Sequence, residues 1–331
     1  MGETKGKLKS KFRFGSNFSI FLGLLILCLF FTLTTDKFLG SQNIINMLLQ
    51  VSSVGIVAIG AMFVILTGGI DLSAGSMAAF VGLLMAGFCV DSGLPVFVAI
   101  LLGFLVGMGL GFFNGLSVTR LGLTPFIVTL AMQLMLRGLG NVYSMGTSIY
   151  GMPESFNILG SGVLKVKLGF FALSIPVPVI LMIVLFIVGH FILSKTVFGH
   201  QVYAVGGNRE AAYLAGINVK WVETVVYVIA AIMASLAALV LTGRLGSAVP
   251  TAAEGLELNA ISAVVIGGGS MSGGKGNMMG TFLGVLIIGV LNNGLNLLNI
   301  SPFWSQFAQG LIIFVAVLID AFNQRRMKAQ R

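Results

Sequence analysis

Charged and amide side chains are scarce in this chain, so the few that interrupt its apolar runs are where chemistry could happen. Residues 67–76, Thr-Gly-Gly-Ile-Asp-Leu-Ser-Ala-Gly-Ser, break two such runs with paired glycines, an acid, two hydroxyls and a further glycine. A segment of this kind exposes backbone carbonyls and N–H groups, which lipid forbids and a water-filled pathway allows. Gly69, Asp71 and Ser73 are therefore candidate pathway or cavity residues. Asp71 is also placed to cap the following helix by accepting from its first N–H groups. Asn114, and then Asn292, Asn293 and Asn296, bring amides into apolar runs. Amides suit a polar, sugar-like solute and equally suit bonds between helices. Arg137 is the one charged residue well inside an apolar run. An unpaired charge there is costly, so it must pair, face a cavity or snorkel.

Other chemistry is excluded by what the residues lack. Residues 269–276, Gly-Ser-Met-Ser-Gly-Gly-Lys-Gly, approach a phosphate-binding P-loop, but Gly276 stands where Ser or Thr would ligate Mg²⁺. No strand pattern precedes the segment, so it reads as a turn between two spans and no nucleotide cofactor is expected. Cys28 and Cys89 both fall in apolar runs, which gives neither a disulfide framework nor a metal spacing. Two histidines, His190 and His200, are too few for a metal cluster. The net charge of +9 lies in tails and loops rather than on a basic face with interleaved aromatics, so nucleic acid is not a partner.

The elements that must position these residues are membrane helices. Only 9% of the 331 residues are charged, against roughly a quarter in soluble domains, and 57% are hydrophobic, with a mean hydropathy of +1.03. Ten apolar runs follow one another, at 18–35, 44–66, 72–90, 95–118, 126–143, 175–193, 221–242, 258–269, 278–298 and 303–319. Most are near the length a helix needs to cross a bilayer. The run at 258–269 is short and ends in glycines, as a broken or tilted element would. The expected fold is thus all-α and integral to the membrane, with about ten transmembrane helices and some broken or re-entrant elements. A single permeating domain, 18–320, lies between a basic tail at 1–17 and a second at 321–331. The first run is long and no small-residue cleavage site follows it, so it reads as an uncleaved span. With the N-terminus in the cytoplasm, fourteen of the eighteen Lys and Arg outside the runs fall on the cytoplasmic side. The N-terminal tail then lies against anionic headgroups. Asn114-Gly115-Leu116 before Thr124-Pro125-Phe126 is echoed by Asn293-Gly294-Leu295 before Ser301-Pro302-Phe303. The echo is five spans later, which suggests two inverted five-helix halves. Gly103, Gly107, Gly111 and Gly115 recur every four residues and predict a flat stripe for close helix packing.

One polar interval, 195–220, interrupts this pattern on the cytoplasmic side. Within it Asn208 is an N-cap, residues 209–215 are good helix formers and Gly216 is the C-terminal stop. A helix this short is not stable alone in water, so it has something to dock against.

Taken together, several motifs resemble the permease subunits of ribose-type, monosaccharide-importing ATP-binding-cassette (ABC) transporters. They are residues 67–76, the Leu136-Arg137-Gly138 step, 203–208 (Tyr-Ala-Val-Gly-Gly-Asn), 215–219 (Ala-Gly-Ile-Asn-Val), 263–268 with 273–276, and 291–298. The resemblance runs from about Phe38 to Asp320. It implies a ten-span subunit of the bacterial inner membrane with both termini cytoplasmic. It implies no enzymatic activity of its own, two ATP-binding subunits beneath, a second permease copy or paralogue beside it, and a periplasmic or lipid-anchored solute-binding protein outside. It further implies that the helix at 208–216 is the coupling element gripped by the ATPase, through Gly207, Asn208, Arg209, Glu210, Ala211, Ala212 and Gly216. Glu210-Ala211-Ala212 and Gly216 match the EAA-x-x-x-G pattern of importer permeases, while that pattern's later Ile-x-Leu-Pro element is absent. The alternatives are an importer for nucleosides or branched amino acids, and an ion-coupled secondary transporter, which would need an ionisable relay at Asp71 and Arg137.

Overall fold

The computed structural model describes residues 16–168, 171–301 and, beyond these, 303, 304, 306, 307, 310, 311, 314 and 318. The basic tails, apart from residues 16 and 17, and much of the tenth apolar run therefore lie outside the described residues. Along the chain run α1 (Ser16–Thr34), α2 (Ser41–Leu66), α3 (Ala74–Val90), α4 (Val96–Thr119) and α5 (Pro125–Ser144). A segment outside the apolar helices follows, with β1 (Ile149–Tyr150), α6 (Glu154–Ser161) and a hairpin of β2 (Val163–Leu168) and β3 (Phe171–Pro176). Then come α7 (Val177–Lys195), α8 (Val197–Gly207), α9 (Arg209–Leu214), α10 (Val219–Leu245), β4 (Ser247–Ala248), α11 (Leu256–Ile266) and α12 (Met278–Leu297).

Among the described residues, seven helices are long and apolar enough to cross a membrane: α1, α2, α4, α5, α7, α10 and α12. Two more of the expected runs, α3 and α11, form apolar helices of only 17 and 11 residues. Both follow non-helical stretches, 67–73 and 249–255; the first is the interruption that the glycine and hydroxyl content foretold, and the second lies ahead of the run at 258–269 rather than at its glycine end. The chain is a multi-pass, mostly helical membrane protein.

The core is built around α2 and α10. Residues 55–66 of α2 are buried without interruption, which a helix apolar on every side requires. The glycine stripe of α4 lets α10 approach it closely. A Cβ on Gly111 would meet Ala231 and the Tyr227 carbonyl, and one on Gly115 would lie 2.9 Å from the Thr224 Cα. Gly60 serves α2 in the same way, 2.8 Å from the Ala230 Cα for an added Cβ. The expectation that this stripe serves packing is met.

Two polar intervals hold more structure than their sequences announce. In the one between α5 and α7, α6 packs on α10 with Gly160 against Gly243 and Arg244, and β1 pairs antiparallel with β4 (Ile149↔Ala248, Tyr150↔Ser247). In the one between α7 and α10, the half before Asn208 is itself a helix, α8, despite its glycines and β-branched residues. Thr196 caps it by accepting from Gly199 N at 3.1 Å, Val202 and Val205 are buried, and Phe198 packs between Phe63 and Trp221. Tertiary burial overrides a weak local propensity there.

Candidate functional site

The break between α2 and α3 assembles the first group of candidate residues. Thr67 ends α2, and Gly68 turns the chain at φ +82°, where a side chain would be strained. Gly69 has no room for a Cβ, which would lie 2.7 Å from the Tyr227 Oη. Asp71 does not cap α3 as expected. Its Oδ1 accepts from Ser73 N at 2.8 Å and Ser73 Oγ at 2.6 Å. Ser73 is the N-cap residue and already has helical φ/ψ, so the acid closes a turn onto the cap instead of reaching the first turn of the helix. Ser73 Oγ accepts in turn from Asn114 Nδ2 at 3.1 Å, and Thr129 Oγ1 donates to the Ile70 carbonyl at 3.2 Å. Gly69, Asp71, Ser73 and Asn114 thus form one buried polar knot with contributions from α4 and α5. Two buried atoms beside it, Asn114 Oδ1 and Tyr227 Oη, have no hydrogen-bond partner among the described residues. Such groups are expensive to bury unless something bonds them in another state.

Arg137 is placed by the second break. Its Nη1 donates to the carbonyls of Pro250 at 2.7 Å and Ala252 at 2.9 Å. It therefore fastens the descending turn before α11 through backbone oxygens, an outcome sequence alone did not specify. The next residue, Ala253, is held at φ +59°, an unfavourable region for a residue with a Cβ. One helical turn before Arg137, Gln133 Nε2 donates to Glu257 Oε1 at 3.2 Å. Glu257 is 4% exposed, and its Oε2 has no hydrogen-bond partner among the described residues. The two breaks meet here, because a Cβ on Gly75 would run into both the Glu257 carboxylate and the Ala253 carbonyl. Glu257 and Gln133 are absent from the residues singled out by sequence. The legible signal was an acid two residues after Gly255, at the mouth of a short apolar run.

The amides of α12 lie elsewhere. Asn293 and Asn43 exchange two hydrogen bonds, at 2.8 and 2.9 Å. This clasp is near the start of α2, roughly 35 Å along that helix from the 67–73 break. Asn296 is exposed and Asn292 is half-buried. The structure does not bring these three together with Asp71 or Arg137.

The third group is α9, which has the N-cap and the C-terminal glycine read from sequence and runs Arg209–Leu214, one residue shorter than expected. Asn208 Oδ1 accepts from Ala211 N at 2.9 Å. At the other end Ile217 N bonds to the Ala212 carbonyl and Gly216 N to the Tyr213 carbonyl, with Gly216 at φ +83°. This is the paired bonding that closes a helix on a left-handed glycine. Ala212 is buried against the membrane domain, whereas Tyr213 and Leu214 are 71% and 79% exposed. Arg209 grips Glu223 of α10 with two nitrogens, Nε to Oε1 at 2.8 Å and Nη2 to Oε2 at 3.0 Å. That carboxylate, by hydrogen bond first and by charge second, holds the guanidinium above its ordinary pKa. On the outward side Arg209, Glu210, Tyr213 and residues 216–220 line a hollow of about 960 Å³. On the inward side a cleft of about 370 Å³ is bordered by Arg209, Glu223, Tyr227, Gly68, Gly69 and Thr124, among others. Gly207 closes α8 just before this helix. The P-loop-like segment is knit into the same end of the molecule, with Gly274 N donating to the Leu66 carbonyl at 2.9 Å and Tyr203 Oη to the Gly276 carbonyl at 2.9 Å.

Residues 43–317 match the family model described as branched-chain amino acid transport system / permease component. The ribose import permease protein RbsC of Bacillus subtilis (strain 168) is 47% identical over 302 residues, 91% of each chain. RbsC of Haemophilus influenzae is 42% identical over 306 residues, covering 91% of this chain and 92% of its own. The D-allose transport system permease protein AlsC of Escherichia coli (strain K12) is 37% identical over 305 residues, covering 91% and 90%. No solved structure gave a significant match. A model spanning most of the chain and relatives of this identity along nine-tenths of it lead to one conclusion: the chain belongs to the branched-chain amino acid transport system / permease component family, alongside the ribose-type import permeases.

Proposed function

We propose that this protein is the permease subunit of an ABC importer, that it forms the translocation pathway for a monosaccharide, and that ATP is hydrolysed on a separate chain. The observation that carries this reading is the breadth of the match: permeases named for ribose and for allose align with 91% of the sequence, and the family model spans 43–317, a range that holds both helix breaks and α9. In this reading α9 is the coupling helix, with Gly207 to Ala212 and Gly216 as its contact and fold-keeping residues. The pathway runs past Gly69, Asp71, Ser73 and Asn114 toward Glu257 and Arg137. Two ATP-binding subunits, a second permease copy or paralogue and a solute-binding protein complete the transporter in the bacterial inner membrane. The permeating domain is 18–320, with the basic tails at 1–17 and 321–331 in the cytoplasm. The ten-span, two-half reading treats α3 and α11 as equivalent broken elements, an equivalence consistent with the five-span offset of the asparagine motifs.

The test is reconstitution with the partner ATPase and binding protein in liposomes, followed by uptake of labelled pentoses and hexoses. Uptake that needs ATP and all three components is expected. The chain alone should hydrolyse no ATP, and turnover that survives Lys275→Ala would overturn that assignment. The family description favours a second solute class, branched amino acids. Binding of leucine and not of sugars to the partner solute-binding protein would select it.

A further inference from the structure

Arg209 belongs to two features at once. It is the first residue of α9, and it is also a wall of the inward cleft whose other borders include Tyr227 and Gly69. Its partner Glu223 is 8% exposed, and Tyr227 lies one turn further along the same face of α10. Tyr227 is buried, and its hydroxyl has no partner among the described residues; Gly69 sits so close to that hydroxyl that a methyl group would not fit. We propose that the Arg209–Glu223 pair is the link through which movement of α9 opens and closes the inner mouth of the pathway at Tyr227 and Gly69. This rests on the reading of α9 as the coupling helix.

Three features support the link. The α9 helix is joined to α8 through Asn208 alone and to α10 through residues 215–218, while Tyr213 and Leu214 project outward. A force applied to its outer side needs a rigid cross-connection to reach the membrane domain. A fork that bonds both carboxylate oxygens resists sliding and rotation, as an apolar contact would not. Glu223 and Tyr227 then ride on one continuous 27-residue helix, so a shift at the first displaces the second. The mouth suits its cargo, because a phenol hydroxyl can both donate to and accept from a hydroxylated solute. Closed against Gly69, that hydroxyl bonds nothing; displaced, it faces the cleft. Arg209 and Glu223 are positioning residues in this scheme, and Tyr227 is the gate.

The test uses the complete transporter. Leu123, on the cleft border, is replaced by Cys in a background carrying Cys28→Ser and Cys89→Ser. An impermeant maleimide is added on the α9 side, before and after trapping with ATP and vanadate. Trapping should change the labelling rate about tenfold, the ordinary scale of coupling between sites. In Arg209→Gln and in Glu223→Gln that change should fall below about twofold while the ATPase subunits still copurify. The double variant should be no worse than either single one, and Asp91→Asn on the outer turn should keep the full change. A full response in either single variant, additive losses in the double, or no response in the parent would overturn the proposal. Loss of ATPase copurification in Arg209→Gln or Glu223→Gln would also overturn it, making the pair a docking element. A parent complex that traps and responds but imports no sugar would instead sink the monosaccharide reading and leave the link standing.

Discussion

At the scale of single residues, glycine placement sets what this inner surface tolerates. Gly206 and Gly207 are neighbours at the end of α8, yet their surroundings differ completely. A Cβ on Gly206 would collide with the Leu66 carbonyl and Gly274 N, the two atoms of one hydrogen bond, whereas a Cβ on Gly207 meets nothing within 4 Å. Backbone atoms cannot swing aside as a flexible side chain can. Gly206→Ala should therefore cost about 1–3 kcal/mol as overpacking and lower the thermal unfolding midpoint in detergent by several degrees. Gly207→Ala should lie within about 1 kcal/mol of the parent, since alanine also favours the helix. Equal midpoints for the two variants, measured side by side, would contradict the assigned packing.

At the scale of elements, α9 is six residues long and owes its persistence to its ends and to Ala212, its buried contact. Asn208 holds one end, and a left-handed glycine at φ +83° holds the other. Gly216→Val would force a β-branched residue into that region, where L-residues with a Cβ are disfavoured by about 1–2 kcal/mol. Asn208→Ala would remove a cap worth about 1 kcal/mol. Either change is expected to fray a helix too short to survive on propensity. Both variants should insert normally and still receive the binding protein, because the outer surface is untouched. Their binding-protein-stimulated ATP hydrolysis should fall several-fold, with Asp91→Asn as the unaffected control. Parent-level stimulation in both would reduce α9 to a connector.

At the scale of the molecule, contacts gather the ends of elements into two faces. Asn17, Leu66, Tyr203, Arg209 and Gly274 belong to one face, through the Asn17–Asn277, Gly274–Leu66 and Tyr203–Gly276 bonds and the Arg209–Glu223 pair. The Asn43–Asn293 clasp and the β1–β4 pair belong to the other. From the lysine and arginine distribution we propose that the first face is the cytoplasmic one. Single cysteines at Ser10, Gln201 and Gln330, in a background without Cys28 and Cys89, should resist an impermeant thiol reagent applied to intact spheroplasts. A cysteine at Ser92, exposed beyond α3, should label readily. Reversal of that pattern would invert the topology.

Features set by neighbouring residues were legible in the sequence. The limits of α9, its two caps, the apolar runs and the glycine stripe each depend on residues within a turn or two, where propensity and periodicity act. The fold of α8 and of the outer segment was not legible, because burial of Phe198 between Phe63 and Trp221, or of Gly160 on Gly243, has no local signature. The candidate site divides along the same line. Sequence picked out Gly69, Asp71, Ser73, Asn114 and Arg137 as polar interruptions in apolar runs. It gave no means of pairing Asn114 with Ser73, 41 residues away, of aiming Arg137 at the Pro250 and Ala252 carbonyls, or of separating Asn293 into a clasp with Asn43, 250 residues away. Residue type makes a buried polar group expensive, and composition reveals that expense. Which partner relieves it is a matter of three-dimensional distance, and only the tertiary structure decided it.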